Sequence, residues 1–414
     1  MRDMKQSKRI PEIDIAKAFG ISIVILQHAG FPMNNVFTFL TVFALPLFFI
    51  LSGVFMRSGS DYAGVLHPPA VDPLSVFKNS ARRLLLPYLF FSVIDLSVIL
   101  ILELVKNGCI DVFSLRNNLL RFFTMYGISV LWFLSALWMS RFVFSLLLIP
   151  RKKYHILLMI LLIFILILTV PLRDLLFSYY EKQHSLYQDG TIPFSTELLY
   201  DLSVTILRIP VCVFFMALGN TAYRFYDRHF ASVNSESGIS SIRVSWERLP
   251  ASAKGLILLL VAAACFSATY FAAVFNFGGN IPLIYYGKNL ALYLSAASLG
   301  SLGTIILSRA IVYLCKASSD HKFLRALTFI GENSLIIMLT HMDLHLITIA
   351  MFPLRPLLFH LSATLFTEVL FWTLVVCLTL IVEIPVILVI RRFFPFLLGS
   401  PFSKNTAAER NTAK

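Results

Sequence analysis

The chain has 414 residues, of which 58% are hydrophobic and only 14% are charged. A mean hydropathy of +0.80 excludes a soluble multidomain protein, because such proteins are about 45–50% apolar and about 25% charged. The formal net charge of +13 is spread over many short polar segments, which favours a role in membrane topology over nucleic-acid binding. We therefore predict an all-α, polytopic integral membrane protein.

Apolar runs long enough to span a bilayer follow one another along the chain, and each predicts a transmembrane helix. In chain order the ten predicted spans are 11–30, 36–56, 84–105, 127–149, 155–172, 203–220, 254–275, 288–308, 328–352 and 363–390. The segment 173–202 is predicted to be the longest loop on the outer side. Residues 1–400 are predicted to form one membrane domain, and 401–414 a polar cytoplasmic tail.

The distribution of Lys and Arg predicts the orientation of these spans. If the N-terminus is cytoplasmic, the segments on that side hold 25 of the 35 basic residues, and those on the other side hold 8. Because basic residues are enriched in cytoplasmic loops, we predict that both termini are cytoplasmic.

The first span contains ionisable residues, which are costly inside a membrane and are therefore functional candidates. At ~100° per residue, Asp14, Lys17 and His28 lie within about 60° of one another on one helix face. Asp14 and Lys17 are three residues apart and are expected to pair, either for catalysis or only to fix the packing. His28 lies ~16 Å farther along the helix. Since no acidic residue of this helix accompanies His28, we predict that it is a catalytic base.

The ninth span carries a second polar face, in the sequence GENSLIIMLTH. Helical spacing predicts that Ser334, His341 and His345 share this face. Two histidines four residues apart are compatible with a metal site, but Met342 stands where a zinc-protease helix has Glu, so no metal is predicted. Ser334 and His341 are candidates for orienting an acceptor or stabilising an oxyanion, with interhelical hydrogen bonding as the alternative.

Basic residues at the start of span three and inside span four are candidates for anion binding. Lys78, Arg82 and Arg83 precede the sequence LLLPY, and Arg141 lies within span four. Such side chains hold the phosphates of a nucleotide-type donor, and lipid headgroups bind them as well. An Arg as deep as Arg141 needs a carboxylate, a phosphate or a helix carbonyl as its partner.

Together these motifs resemble the membrane acyltransferase-3 superfamily, whose members O-acetylate bacterial surface glycans. The matching elements extend over nearly the whole chain: Asp14, Lys17 and His28, PLFFILSGVF at 46–55, the basic residues before LLLPY, LWFL at 131–134 and GENSLIIMLTH at 331–341. Within the superfamily the chain is most similar to the stand-alone, fucose 4-O-acetylase-like polysaccharide acetyltransferases. It departs at two positions, because the first Arg of the family's Arg-x-x-Arg falls at Ser80, and Met338 replaces a common Tyr.

The resemblance implies an O-acetyltransferase of the bacterial inner membrane, surrounded by membrane lipid. Its donor would be cytoplasmic acetyl-CoA, and its acceptor a hydroxyl of a surface or lipid-linked glycan. The implied catalytic residues are His28, Asp14, Lys17, His341 and Ser334, and the implied donor-binding residues are Lys78, Arg82, Arg83 and Arg141. The rival hypothesis is a transporter or flippase for a glycan or small anion, in which the intramembrane charges form a substrate path. The lack of an internal sequence repeat argues against it.

Overall fold

The computed structural model describes residues 10–56, 72–149, 152–186, 192–226, 246–318, 321–358 and 364–398. Within these ranges the chain is almost entirely helical, and its only β-type pairing is an isolated bridge between Asn280 and Tyr285. The prediction of an all-α membrane protein is confirmed. The predicted tail 401–414 lies outside the described residues.

The helices of the described ranges are numbered here in chain order. They are α1 (Pro11–Ala29), α2 (Asn35–Val54), α3 (Pro73–Ser80), α4 (Leu86–Asn107), α5 (Val112–Phe123), α6 (Trp132–Leu147), α7 (Lys152–Leu186), α8 (Phe194–Tyr226), α9 (Ala251–Asn276), α10 (Leu290–Ser318), α11 (His321–Glu332), α12 (Ser334–Thr340), α13 (Leu346–Met351), α14 (Arg355–Leu358) and α15 (Leu365–Phe393). A π-helical turn, Ala81–Leu85, joins α3 to α4.

Eight helical segments of the described ranges are long and apolar enough to cross a membrane. They are α2, α3 continued by α4, α6 with the turn before it, α7, α8, α9, α10 and α15. The helices α11 and α12 form a ninth segment, which bends by 58°. The helix α1 is 19 residues long but carries Glu12, Asp14 and Lys17. With α1 included, these segments correspond in order to the ten predicted spans.

The prediction that 173–202 is a loop was wrong. The helix α7 continues to Leu186 and α8 begins at Phe194, so only a short segment separates them. Hydropathy detects the apolar part of a helix, whereas the backbone hydrogen bonds continue into its polar end. Arg208, which falls within the predicted span 203–220, lies inside α8 and is only 2% exposed.

The ninth predicted span is interrupted twice. The first break is at Asn333, whose buried amide donates to the carbonyl of Phe329 over 2.7 Å and so competes with the helical hydrogen bonds. The second break follows Thr340, where α12 ends and a turn leads to His345. His345 adopts a left-handed backbone conformation with φ +53°. It is exposed, and the prediction that it shares a helix face with His341 was wrong.

Close helix packing places α1 in the interior of the protein. Its neighbours include α2, α10 and α11. The helices α2 and α8 approach closely because Gly53 and Gly219 have no side chain, and a Cβ at either position would lie 2.0 to 2.1 Å from a backbone oxygen of the other helix. Small residues allow such close contacts between membrane helices. As a result, the polar face of α1 points at other helices rather than at lipid.

Candidate active site

Two histidines meet where α1 and α12 end. The ring centres of His28 and His341 are 5.3 Å apart, and the ring planes are inclined by 55°. The ring of His341 is fully buried, and its Nδ1 lies 2.7 Å from the carbonyl oxygen of Ile337. Because a carbonyl can only accept, Nδ1 carries the proton, and Nε2 of the neutral ring is an acceptor. Nε2 has no hydrogen-bond partner in the described part of the chain.

His28 opens onto a cavity of about 230 Å³, which we call the histidine cavity. Its wall includes Gln27, His28, Thr41, Trp132, Asn280 and Tyr293. The cavity therefore combines aromatic rings with amide and hydroxyl groups around one imidazole. Of these residues, the sequence had singled out only His28 and Trp132.

A buried arginine holds two parts of this wall in place. Arg208 donates from Nε to the carbonyl oxygen of Pro282 over 2.8 Å, and from Nη1 to that of Tyr126 over 2.9 Å. Its guanidinium also lies 5.3 Å from the ring centre of Trp132. Since Pro282 and Trp132 both line the histidine cavity, Arg208 fixes the positions of these two parts of its wall.

A second cavity of about 680 Å³ contains the cationic candidates, and we call it the arginine cavity. Lys17, Arg83 and Arg141 line it, and Glu332 is the acidic residue of its wall. The carboxylate of Glu332 lies 3.7 Å from Arg391. The wall therefore carries more positive than negative charge.

Arg141 is held by two serines and forms no ion pair within the described ranges. Its Nε donates to Oγ of Ser80 over 3.0 Å, and its Nη1 donates to Oγ of Ser52 over 2.8 Å. Hydroxyl groups fix the direction of the guanidinium but leave its charge uncompensated, which is suitable for binding an anion. Ser80 stands at the position where the family motif would have its first Arg. Arg141, on another helix, therefore brings a guanidinium to the place where this chain lacks that Arg.

The basic residues before span three do not all face the same way. All three side chains are exposed, but Arg83 lines the arginine cavity, whereas Lys78 and Arg82 are absent from its wall. The π-helical turn that contains Arg82 and Arg83 precedes Pro87. Because Pro87 has no N–H to donate into the preceding turn, the helix widens there.

The family motifs around Asp14 and Gly331 pack directly against each other. Nζ of Lys17 lies 3.2 Å from Oδ1 of Asp14, as predicted for this i,i+3 pair. A Cβ on Gly331 would lie 1.7 Å from the carbonyl oxygen of Asp14, so only glycine permits this contact between α11 and α1. Ser334 follows at the start of α12 and lines the arginine cavity. It is ~10 Å along the helix from His341 and is not a neighbour of His28.

Further buried acidic residues lie close to His341. The Thr340 hydroxyl lies within 3.0 Å of both carboxylate oxygens of Glu383, which is on α15. Because Thr340 directly precedes His341, this contact ties the chain beside His341 to α15. Asp343 and Asp95 are neighbours and are both more than nine-tenths buried. An acidic residue within span ten was a visible signal for Glu383, because intramembrane charges are rare. Among the described residues, no group of three or more His, Cys, Asp or Glu is placed to hold a metal ion.

A comparison with protein families agrees with this arrangement. The family model described as an acyltransferase domain matches residues 10–388. The match extends from the start of α1 into α15 and includes every residue that lines the two cavities except Leu398. No curated protein and no solved structure matches the chain significantly.

Proposed function

Because this chain belongs to the membrane acyltransferase family whose model it matches over residues 10–388, we propose that it moves an acetyl group from acetyl-CoA to a hydroxyl of a glycan. The observation that carries the proposal is the pairing of two unlike cavities. One is cationic, and the other contains the imidazole of His28. Acyl transfer from a charged nucleotide thioester to a neutral hydroxyl requires both environments.

His28 is the proposed general base. Its ring is open to the histidine cavity, so an acceptor hydroxyl can reach it. His28 takes the hydroxyl proton while the oxygen attacks the thioester carbonyl, which forms a C–O bond and breaks the C–S bond. The proton then passes from His28 to the departing thiolate, and coenzyme A leaves as a thiol. Transfer through an acyl-imidazole on His28 gives the same products in two steps.

His341 is the proposed orienting residue. Its Nδ1 proton is committed to Ile337, its Nε2 is an unpartnered acceptor, and its ring centre lies 5.3 Å from that of His28. If Nε2 accepts the N–H of His28, the other nitrogen of His28 is left unprotonated to act as the base. Asp14 and Lys17 form an ion pair on the same helix, more than ~15 Å away. They are proposed to position α1 and to contribute charge to the donor cavity, not to contact the acceptor.

The arginine cavity is the proposed site for the phosphates of acetyl-CoA. Arg83 and Arg141 bring two guanidinium groups to its wall, and such groups bind phosphate through paired, charge-assisted hydrogen bonds. The position of Ser334 in the same wall favours a donor contact over a role with the acceptor. Lys78 and Arg82 are exposed, where they meet lipid headgroups or the outer part of the donor.

The histidine cavity is the proposed acceptor site. Trp132 and Tyr293 offer rings on which a sugar can stack, while Gln27 and Asn280 offer amide donors and acceptors for its hydroxyls. Amphipathic rings beside polar groups are suited to a ligand with both apolar and hydroxylated faces. The acceptor is then a surface polysaccharide or a lipid-linked sugar presented outside the bacterial inner membrane, with both protein termini in the cytoplasm.

The proposal is tested with membranes from cells that express the protein and from cells that do not. Acetyl-CoA labelled in its acetyl group is supplied, and covalent label in the glycan fraction is counted. Mass analysis of the surface polysaccharide then identifies the acylated sugar. Label that depends on the protein supports an acetyltransferase. Glycan that crosses the membrane without gaining label would instead support the transporter or flippase.

A further inference from the structure

Three helices order the two cavities along one axis. On α2, Thr41 lines the histidine cavity and Ser52 lines the arginine cavity. The same change occurs along α1 between His28 and Lys17, and along α6 between Trp132 and Arg141. The cavities therefore lie in line. On α1, Lys17 and His28 are ~16 Å apart along the helix axis.

Phe133 and Met338 form the partition between them. They are the residues of the described ranges that line both cavities. Phe133 is 4% exposed and Met338 is 3% exposed, so both side chains are packed between the cavities. We call these two side chains the partition.

The two sides of the partition differ in stiffness. The ring of Phe133 packs against Phe49 with centres 5.3 Å apart, and against Phe48 with centres 5.8 Å apart. These neighbours hold it in one orientation. Met338 is unbranched and has three rotatable bonds, so it adapts its shape at low cost. Movement of Met338 is therefore the simpler way to open the partition.

From this arrangement we infer that Met338, facing Phe133, limits the length of the acyl group that reaches His28. The inference rests on the proposed function. With the donor phosphates in the arginine cavity, the thioester must cross the partition before the C–O bond forms and the C–S bond breaks. The coenzyme A arm that follows the thioester then fills the opening, and a two-carbon acyl group adds little to what must be accommodated there. Each further methylene must fit beside Met338, because the histidine cavity also has to hold the acceptor.

Substitution of Met338 tests the inference through donor preference. We expect Met338→Ala to raise the ratio of kcat/KM for butyryl-CoA to that for acetyl-CoA by at least ~10-fold, since one methylene in an apolar site is worth ~10- to 200-fold. The matched control is Met338→Leu, which nearly conserves the volume and should leave the ratio within a few-fold. Phe133→Leu widens the same partition from the α6 side. It replaces Met338→Ala as the test variant if Met338→Ala does not accumulate in the membrane.

A second measurement does not depend on acyl transfer. A cysteine is introduced at Thr41 in the histidine cavity or at Leu137 in the arginine cavity. Sealed vesicles then receive a membrane-impermeant thiol reagent on one side at a time, and the parent protein gives the background from its own cysteines. With Met338 present, each introduced cysteine should react from a different side. With Met338→Ala, Thr41→Cys should also react from the side that labels Leu137→Cys.

The two measurements separate failure of the inference from failure of the proposed function. A wild-type protein that transfers acetyl, with an unchanged donor ratio in both Met338→Ala and Phe133→Leu, overturns the inference and leaves the function intact. A wild-type protein that transfers no acyl group from either donor overturns the function and, with it, the limit on acyl length. Unchanged one-sided labelling of Thr41→Cys overturns the partition itself.

Discussion

Replacing His28 by Ala should abolish most of the transfer while leaving the protein folded. No described residue forms a hydrogen bond with the His28 side chain, which faces a cavity instead of packed apolar side chains. We therefore expect a change in the free energy of unfolding of less than ~1 kcal/mol, as at other sites without a buried contact to lose. Removal of a positioned base costs ~10² to 10⁴ in rate, which corresponds to ~2.7 to 5.4 kcal/mol of transition-state stabilisation.

The orienting role proposed for His341 depends on His28. His341 remains beside the vacated position, but its buried Nε2 then has no imidazole to orient. The assay is the rate of label transfer from acetyl-CoA into glycan, at matched amounts of protein in the membrane. Because the two rings act as a unit, adding a His341→Gln substitution should cost much less in the His28→Ala background than in wild type.

His345→Ala is the matched control for His28→Ala. It removes an exposed histidine that lies four residues beyond His341 and outside both cavity walls. Its transfer rate should stay within a few-fold of wild type. Full activity in His28→Ala, or equal losses in the two variants, would refute the assignment of His28 as the base and revive the transporter hypothesis.

Two further predictions concern the donor site and the packing of α1. Arg141→Gln should raise the KM for acetyl-CoA by ~10- to 100-fold, because a charge-assisted hydrogen bond contributes ~1.5–3 kcal/mol, while the KM for the glycan changes little. An unchanged donor KM in steady-state kinetics would assign Arg141 to structure. Gly331→Ala should lower the melting temperature in detergent, because a Cβ would lie 1.7 Å from the carbonyl oxygen of Asp14 and such overpacking costs ~1–3 kcal/mol. In the control Gly255→Ala the Cβ meets Cδ2 and Cγ of the Leu314 side chain at 2.6 Å. A side chain can shift more readily than the backbone carbonyl of Asp14, so an equal loss of stability there would contradict the argument.

Hydropathy predicted the spans because bilayer thickness imposes a minimum apolar length on each helix. It missed the polar ends, such as the continuation of α7 to Leu186, since a helix can extend into water without any apolar signal. It also missed the break at Asn333. That break depends on one buried amide and on the approach of Gly331 to α1. Both are tertiary features that a hydropathy average does not contain.

Helical spacing predicted the pairing of Asp14 with Lys17 because both lie on one uninterrupted helix. It failed where it assumed that a helix continues, as for His345. The contact between His28 and His341 joins two helices that are far apart in the sequence. Periodicity identifies the face on which each histidine lies, but only the packing of α1 against α12 brings the two rings to 5.3 Å.

The vacancy in the family's Arg-x-x-Arg motif leads to the last prediction. Ser80 accepts a hydrogen bond from Arg141 over 3.0 Å, so a guanidinium already occupies the region where an Arg at position 80 would bring its own. If the requirement is for positive charge at this place, and not for one particular helix, Ser80→Arg should restore donor affinity that Arg141→Gln has lost. In the wild-type background the same substitution should weaken donor binding, since two adjacent guanidiniums repel each other. This change of sign is measured as a double-mutant cycle on the KM for acetyl-CoA. Equal effects of Ser80→Arg in both backgrounds would mean that the two positions do not supply the same charge.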